Sequence, residues 1–437
     1  MDISKIYSRS MKNRSAGEIE SRVTAIEQSI KDSDTWRRLE QVCREAKEQE
    51  PKKLAENSDF WKLVSKAVYH EDGAYLNLNH GSINTMPIPV IRAQEAYTRL
   101  CNELPGYWFF EGFRPHKEKL RRKLADLVGV DAEETSIQRN TSSAMETAIF
   151  GLNLKAEDEV ILSNQDYPTL VYAWKQREKY EGVKLKWVDV PLPCENEEDL
   201  IKAYTGAITQ KTRVIQVMQM FNWNGQIVPA QKIQKKIEGS GIDLLVDGAH
   251  IPGQLPVEVS KLGCAYWGAS LHKWLSGPVG TGILTIRKDK IPSTKPLLAA
   301  EDPESPDIRK FENFGIHNTP IDMALHTAID LYHLIGPERK RWRLHFLKNY
   351  ALERLAEIKG VTIKTSLNPE YSCALGMFSI EGKASEVVGE NLFDEFKIYN
   401  VAPVWGGLDG IRISPNIYHT TAELDKLVEA VREIAKR

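Results

Sequence analysis

Two short segments bring together an acid and a lysine in settings that could make both reactive. Asp247-Gly248-Ala249-His250 follows the apolar run Leu244-Leu245-Val246, and Ser270-Leu271-His272-Lys273-Trp274 lies further along the chain. An acid directly after a buried strand is costly unless it is paired. Burial lowers the pKa of a lysine, which makes its amine a nucleophile toward carbonyls. Taken alone, Asp247 is also typical of a turn cap, and Lys273 of a surface lysine with a buried stem.

Two further segments supply groups of a different kind. Asn140-Thr141-Ser142-Ser143-Ala144 precedes a helical pattern, and small hydroxylated residues at a helix start present free N–H groups that bind phosphate. Asp166-Tyr167-Pro168 follows the apolar run Val160–Leu162 and places an aromatic ring at the end of that run. An ordinary N-cap and core packing of Tyr167 are the alternatives. A phosphate site, a stacking ring, an aspartate and a carbonyl-reactive lysine are together the parts that hold pyridoxal 5′-phosphate (PLP).

With these residues the chain resembles the class V aminotransferase-type proteins of the fold type I PLP enzymes, and among them the isopenicillin N epimerase-like branch. The similarity covers about residues 73–430, and the segments 247–250 and 270–274 carry most of it. The resemblance implies an α/β fold. A large domain with a mostly parallel sheet between helices would be joined to a smaller α+β C-terminal domain.

The resemblance also implies roles for individual residues. Lys273 would bond to the aldehyde of PLP and then act as general base at the substrate Cα, with Asp247 and His250 as the other catalytic residues. Asp247 would keep the pyridine nitrogen protonated, and His250 would lie near the phenolic oxygen of the ring or the substrate. The further cofactor contacts would be the backbone of Ser142 and Ser143, the side chains of Ser270 and His272, the ring of Tyr167, and Asn222.

Substrate recognition is implied at two separate places in the chain. Arg412, in Gly410-Ile411-Arg412-Ile413-Ser414-Pro415, resembles the family arginine that binds the substrate carboxylate, and a guanidinium suits a two-pronged carboxylate contact. Its alternative is a surface arginine on a strand edge. The segment from Tyr75 to Ser82 resembles an active-site loop, so that Asn79 and His80 would face the substrate.

The chain departs from the family pattern in two ways. Gly315-Ile316-His317-Asn318 stands where the family often has Gly-Thr, which puts the phosphate contact across a dimer in doubt; His317 or Asn318 could replace it. No cysteine lies between Ile398 and Ile411, where cysteine desulfurases of this class need one. Cys373 lies beside an apolar run and is interpreted as structural. A persulfide-forming desulfurase is therefore disfavoured.

The sequence favours a PLP enzyme that removes the Cα proton of an amino acid, either an aminotransferase or a C–S/β-elimination lyase. The alternative reaction is epimerisation of the isopenicillin N epimerase type. Two other classes compete: a Ser/His/Asp hydrolase, which lacks a G-x-S-x-G nucleophile elbow at Ser270, and a non-catalytic binding protein on the same fold. No metal site is expected.

The composition of the chain bears on which partners and which compartment we expect. Of 437 residues, 42% are hydrophobic, and 58 Lys+Arg against 60 Asp+Glu give no electrostatic argument for nucleic acid. No apolar run reaches the ~20 residues that span a bilayer. Five scattered cysteines are typical of a reducing compartment, so we expect a cytoplasmic protein, or a periplasmic one if a signal peptide has been removed. The resemblance implies a homodimer.

Alternating short apolar runs and helical patterns must position these groups, and such alternation predicts a parallel sheet buried on both faces. The expected strands are 159–162, 183–190, 213–220 and 242–246, with helices 168–180, 195–208 and 229–238 between them. Helices 321–334 and 338–359 and strands 361–366, 376–381 and 411–415 follow. We divide the chain into a helical N-terminal extension (1–72), either packed or a solvated arm, a large PLP-binding domain (73–300), and a small C-terminal domain with its connecting helix (301–437).

Overall fold

The N-terminal helices pack on the body of the protein. The computed structural model describes residues 16–69 and 73–437, and the remaining part of the predicted extension lies outside the described residues. The helices here are α1 (Ala16–Lys31), α2 (Asp34–Glu45), α3 (Pro51–Leu54) and α4 (Ser58–Val68). Val23, Trp36 and Leu39 are buried within the main hydrophobic core. The periodic apolar residues thus serve packing, and this stretch is not a solvated arm.

A seven-stranded sheet occupies the centre of the molecule. The elements up to its last strand are, in chain order, β1 (Leu76–Asn77), α5 (Ile88–Glu103), α6 (Pro105–Tyr107), a π-helical turn (Trp108–Gly112), α7 (Arg114–Val128), a 3₁₀ turn (Ala132–Glu134), β2 (Thr135–Gln138), α8 (Thr141–Gly151), β3 (Glu159–Ser163), α9 (Pro168–Glu181), β4 (Lys184–Val188), α10 (Glu197–Thr205), β5 (Thr212–Met218), α11 (Ala230–Ile237), β6 (Asp243–Asp247), α12 (Val259–Leu262), β7 (Tyr266–Ser270) and β8 (Gly282–Ile286). The spatial order is β2-β8-β7-β6-β5-β3-β4.

The sheet is mostly parallel, as the sequence predicted. Among the described strands of this sheet, β8 alone runs in the opposite direction, antiparallel to β2 and β7. The register places Val217 of β5 beside Val246 of β6 and Met218 beside Asp247, so the two strands end together. Helices cover both faces, and therefore the central strands are buried along most of their length rather than alternating between buried and exposed residues. The α/β architecture is confirmed.

The C-terminal part builds a second, smaller sheet. A 3₁₀ turn (Ile308–Glu312) precedes α13 (Thr319–Ile335), α14 (Pro337–Ala356), β9 (Val361–Ile363), β10 (Gly376–Ile380), α15 (Ser385–Asp394), β11 (Ile398–Tyr399), β12 (Val404–Trp405), β13 (Leu408–Asp409), β14 (Ile411–Ile413) and α16 (Thr421–Lys436). Strands β14-β10-β9 are antiparallel and share an apolar core with α14 and α16. In residues 16–69 and 73–437, no helix has both the length and the apolarity to cross a bilayer.

Long-range strand pairing brings the two sheets' functional segments together. β1 pairs in parallel with β11, and Asn79 forms a bridge to Ser414 just after β14. The loop after β1 therefore lies beside β14, which carries Arg412. Residues more than three hundred positions apart are in this way held next to the carboxyl edge of the large sheet.

Candidate active site

A cavity of about 350 Å³ lies at the carboxyl ends of the parallel strands, where ligands bind in open α/β sheets. We call it the strand-end cavity. β6 ends at Asp247, and β7 ends three residues before Lys273. The predicted residues that line the cavity are Ser142, Tyr167, Asn222, Asp247, His250, Ser270, His272, Lys273 and Arg412. Ser143, Asn79 and His80 are not part of its wall.

Lys273 lies in the wall of the cavity with little to stabilise a charge. Its Nζ is 3.0 Å from Nε2 of His250. Burial lowers the pKa of the Lys273 ammonium to about 8; the nearby Asp247 opposes this shift and Arg412 adds to it. A lowered pKa raises the fraction of neutral amine at physiological pH, and the neutral amine is the form that attacks a carbonyl.

Asp247 is buried at the end of β6 and has few partners. Its Oδ1 accepts one hydrogen bond of 2.8 Å from the backbone N–H of Ala249. Burial raises the pKa of the Asp247 carboxyl, although that hydrogen bond and Lys273 oppose the shift. A carboxylate in this position gains most from a cationic N–H in the cavity, because such a group would supply the missing compensation.

The first turn of α8 forms one end of the cavity. The side chain of Asn140 accepts from the N–H of Ser143, and Ser270 Oγ accepts from the N–H of Thr141 at 2.9 Å. Among the described residues, no partner remains for the N–H of Ser142. Gly282 makes this packing possible, since a Cβ there would lie 2.7 Å from backbone atoms of Asn140. The free amide and the positive end of the helix suit a phosphate group.

This geometry shifts the predicted phosphate cradle toward the start of the helix. Asn140 and Thr141 line the cavity with Ser142. Ser143 instead has its N–H bound by Asn140, and its hydroxyl donates to Gln138 at 3.1 Å. The segment itself was predicted, whereas Asn140 and Thr141 were missed, because sequence does not show which amides a capping side chain consumes.

Arg412 is buried, and its guanidinium is held by the chain on several sides. Nη1 donates to the carbonyl of Asn222 at 2.8 Å, and Nη2 donates to Asn79 Oδ1 at 2.6 Å and to Ser82 Oγ at 2.7 Å. Burial lowers the pKa of Arg412 to about 10. Its Nε is buried without a partner among the described residues. The arrangement fixes the position of a cation that has hydrogen-bonding capacity left for a carboxylate.

In the loop from Asn79 to Ile83, some residues line the strand-end cavity and others lie behind its wall. Asn79 supports Arg412 rather than lining the cavity, while Gly81, Ser82 and Ile83 do line it. Gly81 and Ser82 belong to the predicted active-site loop but were not singled out, and Ile83 lies just beyond it. His80 is fully buried, and its Nε2 lies 2.9 Å from the hydroxyl of Tyr418, next to His419. A direct substrate contact of His80 therefore stays a prediction that this geometry does not favour.

A low lysine pKa alone would not identify the site. Burial lowers the pKa of Lys340 and of Lys348 to about 7, yet neither side chain lines the strand-end cavity. Lys340 donates to the carbonyl of Trp274, and Lys348 to the carbonyl of Ser366 at 3.0 Å. Lys273 differs from both because its amine faces a cavity beside an aspartate.

The unpaired polar atoms of the cavity test whether PLP and an amino acid fit it. Three of its lining residues have buried atoms without partners in the described chain: Asn222 Oδ1, His272 Nδ1 and Arg412 Nε. Buried polar atoms are normally satisfied, so their clustering at one cavity indicates a polar ligand. A phosphate at Ser142, a ring nitrogen at Asp247, an aldehyde at Lys273 and a carboxylate at Arg412 would suit the side chains and the free amide that line the cavity. Among the described residues, no cluster has the composition of a metal site.

Comparison with known proteins gives a consistent picture. A family model described as aminotransferase class V matches residues 86–427. Isopenicillin N epimerase of Amycolatopsis lactamdurans is 27% identical over 386 residues, which cover 84% of this chain and 96% of that protein. A probable cysteine desulfurase of Halalkalibacterium halodurans is 28% identical over 328 residues, covering 70% of this chain and 77% of that protein.

Solved structures show the same fold. The apo structure of a cysteine desulfurase from Thermococcus onnurineus NA1 has a TM-score of 0.73 at 22% identity, covering 83% of this chain and 95% of that one. The cystine C–S lyase C-DES, in complex with its reaction product cysteine persulfide, has a TM-score of 0.71 at 21% identity and covers 83% and 98%. At these identities the likeness concerns the architecture.

Proposed function

The chain belongs to the aminotransferase class V family, and from this premise we propose that it is a PLP-dependent enzyme that removes the Cα proton of an amino acid. Transamination and C–S/β-elimination are the reactions we favour. One observation carries the proposal: Lys273, Asp247 and Arg412 line a single cavity at the carboxyl edge of the sheet. They supply an amine for an aldehyde, an acid for a ring nitrogen and a cation for a carboxylate.

The residues at the inner end of the cavity would hold the cofactor. The N–H of Ser142, with Thr141, Ser270 and His272, would bind the phosphate. Tyr167, 40% exposed at the rim, would cover the ring. Asp247 would hold a proton on the ring nitrogen, because a buried carboxylate with one hydrogen bond is stabilised by a cation beside it. Bound PLP supplies an electron-withdrawing ring that makes the Cα–H bond of an amino acid acidic.

Lys273 would perform the proton transfer. Its amine would hold PLP through the aldehyde, and as a free amine its Nζ would accept the Cα proton of the substrate. Arg412 would orient the substrate by binding its carboxylate, held in place by Asn79, Ser82 and the carbonyl of Asn222. Because this guanidinium is preorganised, little side-chain entropy is lost on binding.

Protein-bound persulfide chemistry is disfavoured. None of the five cysteines, all of which are described, lines the cavity. Burial raises the pKa of Cys373 to about 12, which leaves it a thiol rather than a reactive thiolate. A lyase reaction would therefore release its sulfur product from the substrate directly, without a cysteine relay.

Epimerisation is the second candidate, supported by the likeness to isopenicillin N epimerase along 84% of the chain. Inversion at Cα needs a proton donor on the face opposite to Lys273. The ionisable side chains of the cavity besides Lys273 are Tyr167, Asp247, His250, His272 and Arg412. Tyr167 carries a hydroxyl and is 40% exposed at the rim of the cavity, and we propose it for that role if inversion occurs.

We also propose that the protein is a homodimer. The loop at Gly315–Asn318 presents Ile316 with 81% of its surface exposed, while His317 is held in its own chain by Asp322 at 2.8 Å. A partner subunit that covers this loop would bury Ile316. Sedimentation of wild type against Ile316→Glu tests the proposal: a dimer is expected for wild type and dissociation for the variant. A monomeric wild type would contradict it. The cytoplasmic location stays a prediction.

Absorbance and product analysis test the proposed reaction. Adding PLP to the full-length protein is expected to give a yellow species that amino acids change, and Lys273→Ala is expected to stay colourless after dialysis. A panel of amino acids is then assayed for keto acid with amine transfer, for pyruvate with sulfur release, and for Cα deuterium exchange with inversion. A wild-type protein that never binds PLP would refute the proposal, and inversion without the other two products would select the epimerase.

A further inference from the structure

Trp274, the residue after the proposed catalytic lysine, ends a row of three side chains. Its indole Nε1–H donates to Nδ1 of His250 at 3.2 Å, and Nε2 of His250 lies 3.0 Å from Nζ of Lys273. Trp274 is fully buried and His250 is 1% exposed, so water has little access to the hydrogen bond between the indole and the imidazole. The row links a group outside the cavity to the amine inside it.

The indole fixes where His250 carries its proton. An indole N–H donates and does not accept, so Nδ1 must be the acceptor nitrogen. Burial lowers the pKa of His250 far below its ordinary range, and Lys273, Arg412 and His272 add to this, so the imidazole is neutral. A neutral imidazole with an unprotonated Nδ1 carries its proton on Nε2.

This tautomer favours one form of Lys273. An Nε2–H group directed at Nζ needs a lone pair there, and among the two forms of lysine only the neutral amine has one. The opposite tautomer would present an unprotonated Nε2, which would accept from the ammonium and stabilise the charge. Asp247 and Arg412, which also face Lys273, act on it in either case. The position of one proton on His250 thus sets the sign of its effect on Lys273.

We propose that Trp274 is a positioning residue that holds His250 in the Nε2–H tautomer and thereby favours the neutral, nucleophilic amine of Lys273. The use of that amine rests on the proposed function, whereas the tautomer is a property of the protein without cofactor. With PLP bound, the same N–H would be free to donate elsewhere in the cavity, and the family resemblance implies that His250 lies near the phenolic oxygen of the ring or the substrate.

The surroundings of Trp274 hold it in place. Nζ of the buried Lys340 donates to the carbonyl of Trp274. Gly253 lies against the backbone on the other side, where a Cβ would be 2.3 Å from the carbonyl carbon of Trp274 and from the nitrogen of Leu275. Its φ of +87° also favours glycine. These contacts fix the backbone at Trp274, from which the indole reaches His250.

Nitrogen NMR tests the tautomer directly in the wild-type chain. Full-length protein labelled with ¹⁵N-histidine is freed of cofactor with hydroxylamine, and His250→Gln assigns the His250 signals. We expect a protonated Nε2 and an unprotonated Nδ1 at neutral pH. A proton on Nδ1, or exchange between the two tautomers, would overturn the proposal. This measurement needs no substitution at Trp274 and so does not depend on how that variant folds.

The amine is tested by its reactivity. Formaldehyde and cyanoborohydride methylate the neutral amine of Lys273, and peptide mass spectrometry measures the extent of methylation. The pH at which methylation of Lys273 is half-maximal, its midpoint, is measured in the cofactor-free protein. Trp274→Phe keeps an aromatic ring but removes the N–H, and we expect the midpoint to rise by about 0.5–1 pH unit, because His250 is then free to accept from the ammonium. In a His250→Ala background the same substitution is expected to leave the midpoint unchanged.

The double substitution separates proton placement from packing. An equal rise with and without His250 would mean that loosened packing exposes Lys273 to water, and would overturn the proposal. Both readouts are taken without PLP, and PLP binding is measured separately by absorbance. A protein that binds no PLP but shows the Nε2–H tautomer would refute the proposed function alone, and the reverse outcome would refute the role of Trp274 alone.

Discussion

Glu312 and Lys273 are both ionisable side chains removed from water, yet their surroundings differ. Glu312 accepts from Arg121, from Lys117 at 3.0 Å and from the N–H of Ile137 at 2.6 Å. Although burial alone would raise it, these cations hold the pKa of Glu312 at about 2. Lys273 has one hydrogen-bonding neighbour among the described residues, and burial lowers its pKa to about 8.

The charged groups around Glu312 stabilise the fold, whereas those around Lys273 are available for chemistry. The Glu312 cluster (Glu312, Arg121, Lys117, Glu118 and Arg309) ties α7, β2 and the 3₁₀ turn Ile308–Glu312 together, and its charges compensate one another. The residues of the strand-end cavity are left partly unpaired, which costs stability and reserves their hydrogen bonds for ligands. Substitutions in the two places should therefore affect different measurements.

The largest expected effect is on stability. Glu312→Gln leaves Arg121 buried without its full counter-charge, and we expect a loss of about 3–5 kcal/mol in the free energy of unfolding at pH 7. Urea unfolding measures it. The catalytic turnover per folded molecule should be unchanged, because Glu312 does not line the strand-end cavity. A variant of wild-type stability would contradict the structural role.

Wild type and Glu312→Gln should also differ in how their stability depends on pH. The folded pKa of Glu312, about 2, lies below its ordinary value of 4.5, so its ionised form stabilises the fold above pH 4.5. This stabilisation is lost as the pH falls from 4.5 toward 2. The difference in stability between wild type and Glu312→Gln should therefore shrink over that range. A difference that stays constant would place the effect elsewhere.

Asp247→Asn should give the converse result. An amide cannot hold the ring nitrogen protonated as a carboxylate does, so we expect Cα deuterium exchange to slow by about 10²–10³-fold. The thermal midpoint should stay the same or rise, since a buried carboxylate with one hydrogen bond has been removed. Exchange at the wild-type rate in the variant would show that Asp247 is a turn cap.

Arg412→Lys tests recognition rather than chemistry. Lysine keeps the charge but loses the planar fork, and we expect KM for an amino acid to rise about tenfold, or ~1.4 kcal/mol. The corresponding amine without a carboxylate serves as the matched control and should show no change in KM. An equal rise for both compounds would mean that the substitution disturbs the cavity and not carboxylate binding.

The smallest effect is expected at Cys373. The thiol is buried, it lies outside the cavity wall, and its pKa is raised by burial. Cys373→Ala should therefore retain the wild-type turnover with every sulfur-containing substrate. Loss of sulfur release on this substitution would restore the persulfide mechanism that the sequence disfavoured.

Sequence reasoning worked where a local pattern decides the outcome. The runs at β3, β5 and β6 are rich in Val, Ile and Leu, and their strands appeared close to the expected bounds. β7 (Tyr266–Ser270) contains Gly268 and Ala269 and lacks β-branched residues, so it was not predicted as a strand although it leads to Lys273. Its strand character comes from its two neighbours in the sheet.

The site was predictable as a set of segments but not atom by atom. Asn79 and Arg412 are 333 residues apart and meet because β1 pairs with β11 and Asn79 forms a bridge to Ser414, just after β14. This pairing decides that Ser82 faces the cavity while His80 turns toward Tyr418. Tertiary contacts of this kind leave no periodic signal in a single sequence.

Chemical mapping of the amine that reacts with PLP tests the central claim most directly. The full-length protein is loaded with PLP, reduced with borohydride and digested, and the phosphopyridoxyl group is located by mass spectrometry. We predict the modification on Lys273 and none on Lys340 or Lys348, whose pKa values are lowered further, to about 7, but which do not line the strand-end cavity. A reduced protein in which Lys273 is unmodified would contradict the account.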